Sequence, residues 1–324
     1  MQSVKSYEPR DKVAKPKRLC GFLKSKKSKQ PKIKNKSKSL GIKNNPKIIF
    51  RAILYTLTSG ALIVLIVISA YNVIRWRAEN EATRAQLEEI YSATSFKDIN
   101  DDDIDEDEKQ IVDFILNTKN LVSSDDKYWK YIKYPLLEVD LSASIAMNAD
   151  TAGWIQVPGT NIDYPFVQTN NNDYYLTHTI NRSWSSAGWV FLDYRNNRSL
   201  NDKNQIIYAH GRYDGSMFGS LNAVLKDKWL NNEDNHVVKI STTDSNSLWQ
   251  VFSVYQIKVT DDYLKINFID DNRFQEFINL IKDRSIHDFN TNVTPDNQII
   301  TLSTCANNNE RIVLHAKLIK KSAR

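Results

Sequence analysis

Residues 52–74, AILYTLTSGALIVLIVISAYNVI, run for 23 residues without a charge, bracketed by Arg51, Arg75 and Arg77. At about 1.5 Å per residue, a helix of this length reaches roughly 35 Å and can cross a hydrocarbon core about 30 Å thick. A core helix of a globular domain keeps a polar face, and a run without a single charge over six turns has little to build one from. The segment is therefore expected to span a membrane, and it divides the chain into parts that must be read separately.

Residues 1–51 carry 17 Lys and Arg against two acids, Glu8 and Asp11, a net +15; with the whole chain at +6, the remainder stands at −9. The basic excess ahead of the span predicts a cytoplasmic N-terminus and an extracellular C-terminal region. The apolar run is longer than the core of a cleaved signal peptide and no clear A-x-A site follows it, so an uncleaved single-pass signal anchor in the cell membrane is expected. The tail, with KSKKSKQPKIKNKSKS, is poor in apolar residues and is predicted to be disordered, with membrane lipid as its partner. A nucleic-acid partner is not expected of a Lys-rich segment tethered to a bilayer.

Two cysteines, Cys20 and Cys305, fall on opposite sides of that span and cannot pair. A single unpaired thiol in an external domain without disulfides asks for an explanation. Burial as a small hydrophobe is the commoner role for such a cysteine, so its neighbours have to decide. No pair of His or Cys has a metal-ligand spacing, and the acidic stretch at 98–108, DINDDDIDEDE, lacks the spacing and central Gly of a calcium loop. Neither a metal nor a cofactor is expected.

Four regions follow: a basic cytoplasmic tail over 1–51, the span over 52–74, an extracellular helical and acidic linker with N-terminal helices over 75–150, and a domain over 151–324. In the linker, 75–90 reads as a helix leaving the membrane, and 109–116 (KQIVDFIL) supplies a second apolar face. From Gly153 the texture changes to short apolar or alternating runs between Asn, Asp, Gly and Pro clusters, at 154–157, 164–168, 189–194, 205–209, 237–240, 249–260, 298–304 and 311–319. Eight such strands predict an all-β sandwich or barrel. Two helices interrupt it, at 216–226 and 272–281.

The chemistry concentrates at three points. Residues 298–305, QIITLSTC, are a strand that delivers Cys305 to its end, where substrate can reach it. Arg311 opens the next strand; if the two pair as a hairpin, it returns close to Cys305, where a guanidinium favours the thiolate and can hydrogen-bond a developing oxyanion. Residues 205–221, QIIYAHGRYDGSMFGSL, bring His210 to a strand end beside a Gly, positioned as general acid for a leaving amine. His178, His236, His287 and His315 compete for that role. His315 shares a strand face with Arg311 but lies about two pleats (~13 Å) along it, which disfavours it.

The stretch 301–305, TLSTC, resembles the catalytic strand of sortases in the form typical of class B. Residues 153–168 (GWIQVPGTNIDYPFVQ), 187–196 (AGWVFLDYRN) and the His210 segment with its DGSMFG resemble further stretches of that class, in the same order. The resemblance covers roughly 150–320. It implies a mainly β fold, an eight-stranded sortase-type barrel with N-terminal helices and a helix, 272–281, inserted before the catalytic strand as one wall of the groove. It also implies a reaction in which Cys305 attacks the Thr carbonyl of a C-terminal sorting signal (NPxTN-like or related) on a secreted protein. A thioacyl enzyme forms, and an amine of a peptidoglycan precursor or cross-bridge releases the product. By position, Cys305 is the nucleophile, His210 the general acid/base and Arg311 the oxyanion or substrate clamp. Ser303, with its neighbour Thr304, matches a substrate-contacting position, and Asn172 and Leu176 match groove-lining ones.

Three departures stand out. Ala209-His210 replaces Gly-His. The segment between Cys305 and Arg311 is shorter than is usual for the class. Asn307 stands where an Asp has been proposed as a third catalytic member. A cysteine endopeptidase, with water in place of the amine, would use the same thiol and imidazole, and a pilin-polymerising sortase is a further alternative. A non-catalytic binding module would have lost Cys305, His210 or Arg311, and all three are present.

Overall fold

The computed structural model describes residues 45–100, 127–304 and 309–324, and divides after Leu62 into two compact units. In the first, everything described from Pro46 onward is helix, the start of α1 (Pro46–Ala93). Its start follows from sequence: the Asn45 side chain accepts from the Lys47 amide at 3.1 Å, and Pro46 occupies the first helical position, where its missing N–H is harmless. Leu57 and Leu62 and, beyond the division, Ile63 and Leu65 are each more than half exposed, so the helix is apolar all round. By length and composition α1 is one candidate membrane span among the described residues.

The second unit contains the remaining elements. A two-stranded antiparallel sheet joins β1 (Phe96–Ile99) to β2 (Leu136–Val139) and is followed by a closed eight-stranded barrel. Its strands are β3 (Thr151–Val157), β4 (Ile162–Val167), β5 (Phe191–Leu192), β6 (Asn204–Ala209), β7 (Val237–Thr242), β8 (Ser245–Lys258), β9 (Ile299–Thr304) and β10 (Glu310–Ala323). Their order around the barrel is β10-β8-β7-β3-β4-β5-β6-β9, with β4–β5 and β6–β9 parallel and the other pairs antiparallel. All eight expected strands are present. Helices α2 (Tyr128–Tyr131), α3 (Ser142–Met147), α4 (Asp227–Leu230) and α5 (Asp271–Asp283) lie between them in the chain.

Both faces of β3 are buried, which is why its sequence does not alternate: Ile155 and its neighbour Trp154 are each fully shielded. The Trp154 ring meets Tyr91 of α1 edge-on at 5.3 Å and Phe96 of β1 at 5.2 Å, so the C-terminal end of α1 and the small sheet cover the barrel there. Tyr91 also donates from its hydroxyl to the Asp163 carbonyl at 2.6 Å. Helix α5 is capped by Asp270, which accepts from the Arg273 amide at 2.8 Å. It buries Phe274, Phe277, Ile278 and Ile281, the i, i+3, i+4, i+7 positions of one face, with Phe252 and Tyr255 of β8 in the same cluster. Each of those side chains contributes about 1.5–3 kcal/mol by leaving water.

Three expectations differ in detail. The strand foreseen at 189–194 has only two ladder residues, because Trp189 instead donates its amide to the Tyr175 carbonyl and Asp193 turns inward as a hydrogen-bond hub. The helix foreseen at 216–226 is a 3₁₀ helix over Gly219–Leu225, following a tight loop. The β1–β2 sheet went unforeseen: its strands are four residues long, and their pairing spans distant parts of the chain. The helix expected at 109–116 lies outside the described residues.

Candidate active site

Strands β6 and β9 run parallel with Tyr208 beside Ser303 and Ala209 beside Thr304, so they end together. His210 follows Ala209 and Cys305 follows Thr304; Cys305 itself lies outside the described residues. Strand β10 pairs antiparallel with β9, Val313 against Ser303, and the Ile312 amide donates to the Thr304 hydroxyl at 2.9 Å. Arg311 directly precedes Ile312 on β10. Arg311 is half-buried, and its Nη1 donates to the Glu310 carbonyl at 3.0 Å.

The half-buried His210 ring places Nε2 at 2.7 Å from the Leu176 carbonyl. A carbonyl only accepts, so Nε2 donates this bond and Nδ1 is the other ring nitrogen. Behind His210 the chain turns back tightly. Gly211 bridges to Met217, the Phe218 amide donates to the His210 carbonyl at 3.0 Å, and the Asp214 carboxylate accepts from the amide and hydroxyl of Ser216 at 3.0 and 2.6 Å. Burial pushes the Asp214 carboxyl up, but the Ser216 donors and the Arg212 guanidinium outweigh it and leave it below the usual range. Gly219 is required here: a Cβ would come to 2.0 Å from the Arg212 carbonyl.

The remaining expected positions are distributed around this corner. Leu176 supplies the carbonyl that orients His210. Asn172 accepts from the Tyr194 amide through Oδ1 and donates through Nδ2 to Asp193, both at 3.0 Å, and so fixes the start of the loop that carries Leu176. Ser303 is buried with its hydroxyl 2.9 Å from that of Tyr263, and Thr304 is buried with its hydroxyl on the Ile312 amide. In this structure the Ser303 hydroxyl is thus tied to Tyr263, and the Thr304 hydroxyl to the start of β10.

Sequence reasoning passed over Asp193. This fully buried carboxylate takes five donors: the backbone amide, Nε and Nη2 of Arg195, the Asn172 amide and the Tyr208 hydroxyl. Burial alone would raise its carboxyl; the Arg195 hydrogen bonds and charge, with Asn172, hold it below the usual range. The available signal was an acid at the end of an apolar strand run, FLD, two residues before an Arg. Asp193→Ala leaves these donors without their acceptor and is expected to destabilise the fold by about 3 kcal/mol. Urea unfolding measures it, and a loss under about 1 kcal/mol would contradict the assignment.

The other histidines are engaged elsewhere. His178 stacks on Tyr174 at 4.1 Å. His236 and His287 sit 5.9 Å apart in a cluster with Trp229 and Phe289. His315 is fully buried between the Tyr255 hydroxyl at 2.8 Å from Nε2 and the Thr301 hydroxyl at 2.9 Å from Nδ1. Because Thr301 donates its own proton to Asn204 at 2.8 Å, it accepts from His315, whose Nδ1 is thus protonated and whose Nε2 accepts from Tyr255. The ring ties β8, β9 and β6 together and does no proton transfer at the strand ends.

Comparison with known proteins places this corner in a family. The family model described as "Sortase domain" matches residues 155–319. Sortase B of Listeria monocytogenes is 35% identical over 179 residues, 54% of this chain and 72% of that protein. Among solved structures, sortase B of Bacillus anthracis in complex with AAEK2 matches with a TM-score of 0.52 at 36% identity, over 56% of this chain and 82% of that one. The Staphylococcus aureus sortase B–substrate complex matches at 28% identity and a TM-score of 0.52, over 65% of this chain and 93% of that one.

Proposed function

Since the chain belongs to the sortase family, in its class B, and is thus a cysteine transpeptidase of cell-wall sorting, we propose that Cys305, His210 and Arg311 carry that reaction on a C-terminal sorting signal cleaved after Thr. The observation that carries this reading is the joint ending of β6 and β9, Ala209 beside Thr304, which brings the chain to His210 and to Cys305 from neighbouring strand ends. The register of β10 on β9 supports Arg311 as their companion.

In the first half-reaction the Cys305 thiolate adds to the scissile Thr carbonyl carbon. The oxygen takes up negative charge, for which the Arg311 guanidinium supplies donors. The intermediate collapses with the C–N bond breaking, and the leaving amine takes a proton from imidazolium His210. This leaves a thioester and a neutral imidazole. In the second, a peptidoglycan amine attacks the thioester carbonyl and gives its proton to His210. The C–S bond breaks, restoring the thiolate and yielding a new amide. The imidazolium that donates to the leaving amine is regenerated by the incoming one, so no other acid is needed.

We further propose that 52–74 anchors the enzyme in the membrane with the barrel outside, on the length and apolarity of α1 and the basic excess before it. The test is the full chain in detergent against fluorogenic NPxTN, LPxTG and PPxTG peptides, with and without a triglycine or diaminopimelate donor, beside Cys305→Ala. Cys305-dependent cleavage with a donor-dependent amide product, seen by mass spectrometry, is the expected result. Hydrolysed acid alone, at saturating donor, would make the enzyme an endopeptidase.

A further inference from the structure

Helix α1 does not leave the barrel behind when it leaves the span. Directly after the charge-free run, the Arg75 guanidinium lies 4.6 Å over the Trp184 ring and bonds Glu79 at 2.9 Å. Glu79 in turn accepts from the Ser186 hydroxyl at 2.7 Å, and Asn80 accepts from Arg212. Glu79 is doubly held, by Arg75 along the helix and by Ser186 across it. Burial pushes its carboxyl up, yet the Ser186 and Arg75 bonds leave it below the usual range.

The helical rise turns these contacts into a depth. Glu79 and Asn80 lie five and six residues beyond Ile74, about 8–9 Å along the axis. The headgroup layer on one side of a bilayer is about 5–8 Å thick. Helix tilt only shortens the height. The loops at 177–186 and 211–218 are therefore pinned to the helix at the height where headgroups end. What they expose there suits an interface: Trp184 is 52% exposed although one face lies under Arg75, and Tyr213, beside Arg212, is 94% exposed. Amphipathic aromatic rings with nearby cations, here Arg75 and Arg77, are the side chains that favour the headgroup region.

We propose that this rim rests on the lipid headgroups of the membrane that the chain itself spans, with Trp184 as the interfacial anchor. The inference rests on the reading of 52–74 as a span. Its consequence is positional: Leu176 and His210, joined at 2.7 Å, directly precede these two loops, so the catalytic mouth opens beside the bilayer surface. The β7–β8 turn, with Thr243, is at the opposite end of the barrel.

The experiment uses the full chain with Cys20→Ser and Cys305→Ala, carrying one new thiol, Ser183→Cys or Thr243→Cys. It is reconstituted in vesicles of phosphatidylcholine and phosphatidylglycerol and labelled with an environment-sensitive dye. Headgroup-spin-labelled lipid is expected to quench the label at 183 at least threefold more than the label at 243, and Trp184→Asp is expected to lower the quenching at 183. Equal quenching at both positions in a chain that resists carbonate extraction would overturn the docking while leaving the span in place. A chain released by carbonate would overturn the span reading and the docking with it.

Discussion

His210→Ala is expected to lower kcat/KM by about 10²- to 10⁴-fold, the range for losing a positioned general acid–base group. The fall should appear in kcat, because in the proposed mechanism the imidazole acts on the leaving and entering amines and not on the bound ground state. Arg311→Ala is expected to cost about 10²- to 10³-fold, as removing an oxyanion donor does. Arg311→Lys should recover only part of it, since an ammonium keeps the charge but lacks the planar fork. Neither side chain belongs to the buried core, so far-ultraviolet circular dichroism and the unfolding midpoint should remain those of the parent. Steady-state kinetics on the peptide cleaved fastest reads out all three. An Arg311→Ala enzyme within threefold of the parent would remove that residue from the mechanism.

Acid should unfold this barrel before its carboxylates are titrated. Burial holds His236 at about 4, with the charges of His287 and Lys127 adding to it, and burial with the charge of Arg284 holds His315 at about 3. In the unfolded chain both titrate near 6.5. Between those values the unfolded state binds more protons than the folded one, so stability falls as pH is lowered from about 6.5 to 4. The slope approaches 1.4 kcal/mol per pH unit for each histidine, and over this window each removes about 3 kcal/mol. Urea midpoints measured from pH 7 to pH 4.5 test this. His236→Phe, which keeps an aromatic ring against Trp229 and Phe289, should flatten the profile by roughly half. Parallel profiles for parent and variant would show that His236 does not set the slope.

The apparent conflict over His315 is resolved by packing. Strand alternation put it on the face of Arg311, and a histidine near a reactive thiol invites a catalytic role. Its fully shielded ring, locked between Tyr255 and Thr301, makes it a cross-strand tie. Ser303 makes the same point from the other side. Its place in the motif suggests substrate contact, and the fold adds a partner the motif does not show: its hydroxyl meets that of Tyr263, 40 residues earlier in the chain. Asp193 was only faintly legible: Arg195 lies two residues on, but the donors from Asn172 and Tyr208 come from segments that no local pattern brings together.

Local physics was enough for much of the rest. Uninterrupted apolarity from 52 to 74 announces a segment suited to hydrocarbon, since each charge there would be expensive. Short apolar or alternating runs punctuated by turn residues announce eight strands. These signals survive in one dimension because they depend on the neighbours a residue has along the chain. Closure of the barrel, the parallel pairing of β6 with β9 that ends two distant segments together, the small β1–β2 sheet and the clasp between α1 and the loops at 186 and 212 depend on neighbours across it. Long-range pairing is selected by the burial and hydrogen bonding of the whole fold, so only the tertiary structure could decide it.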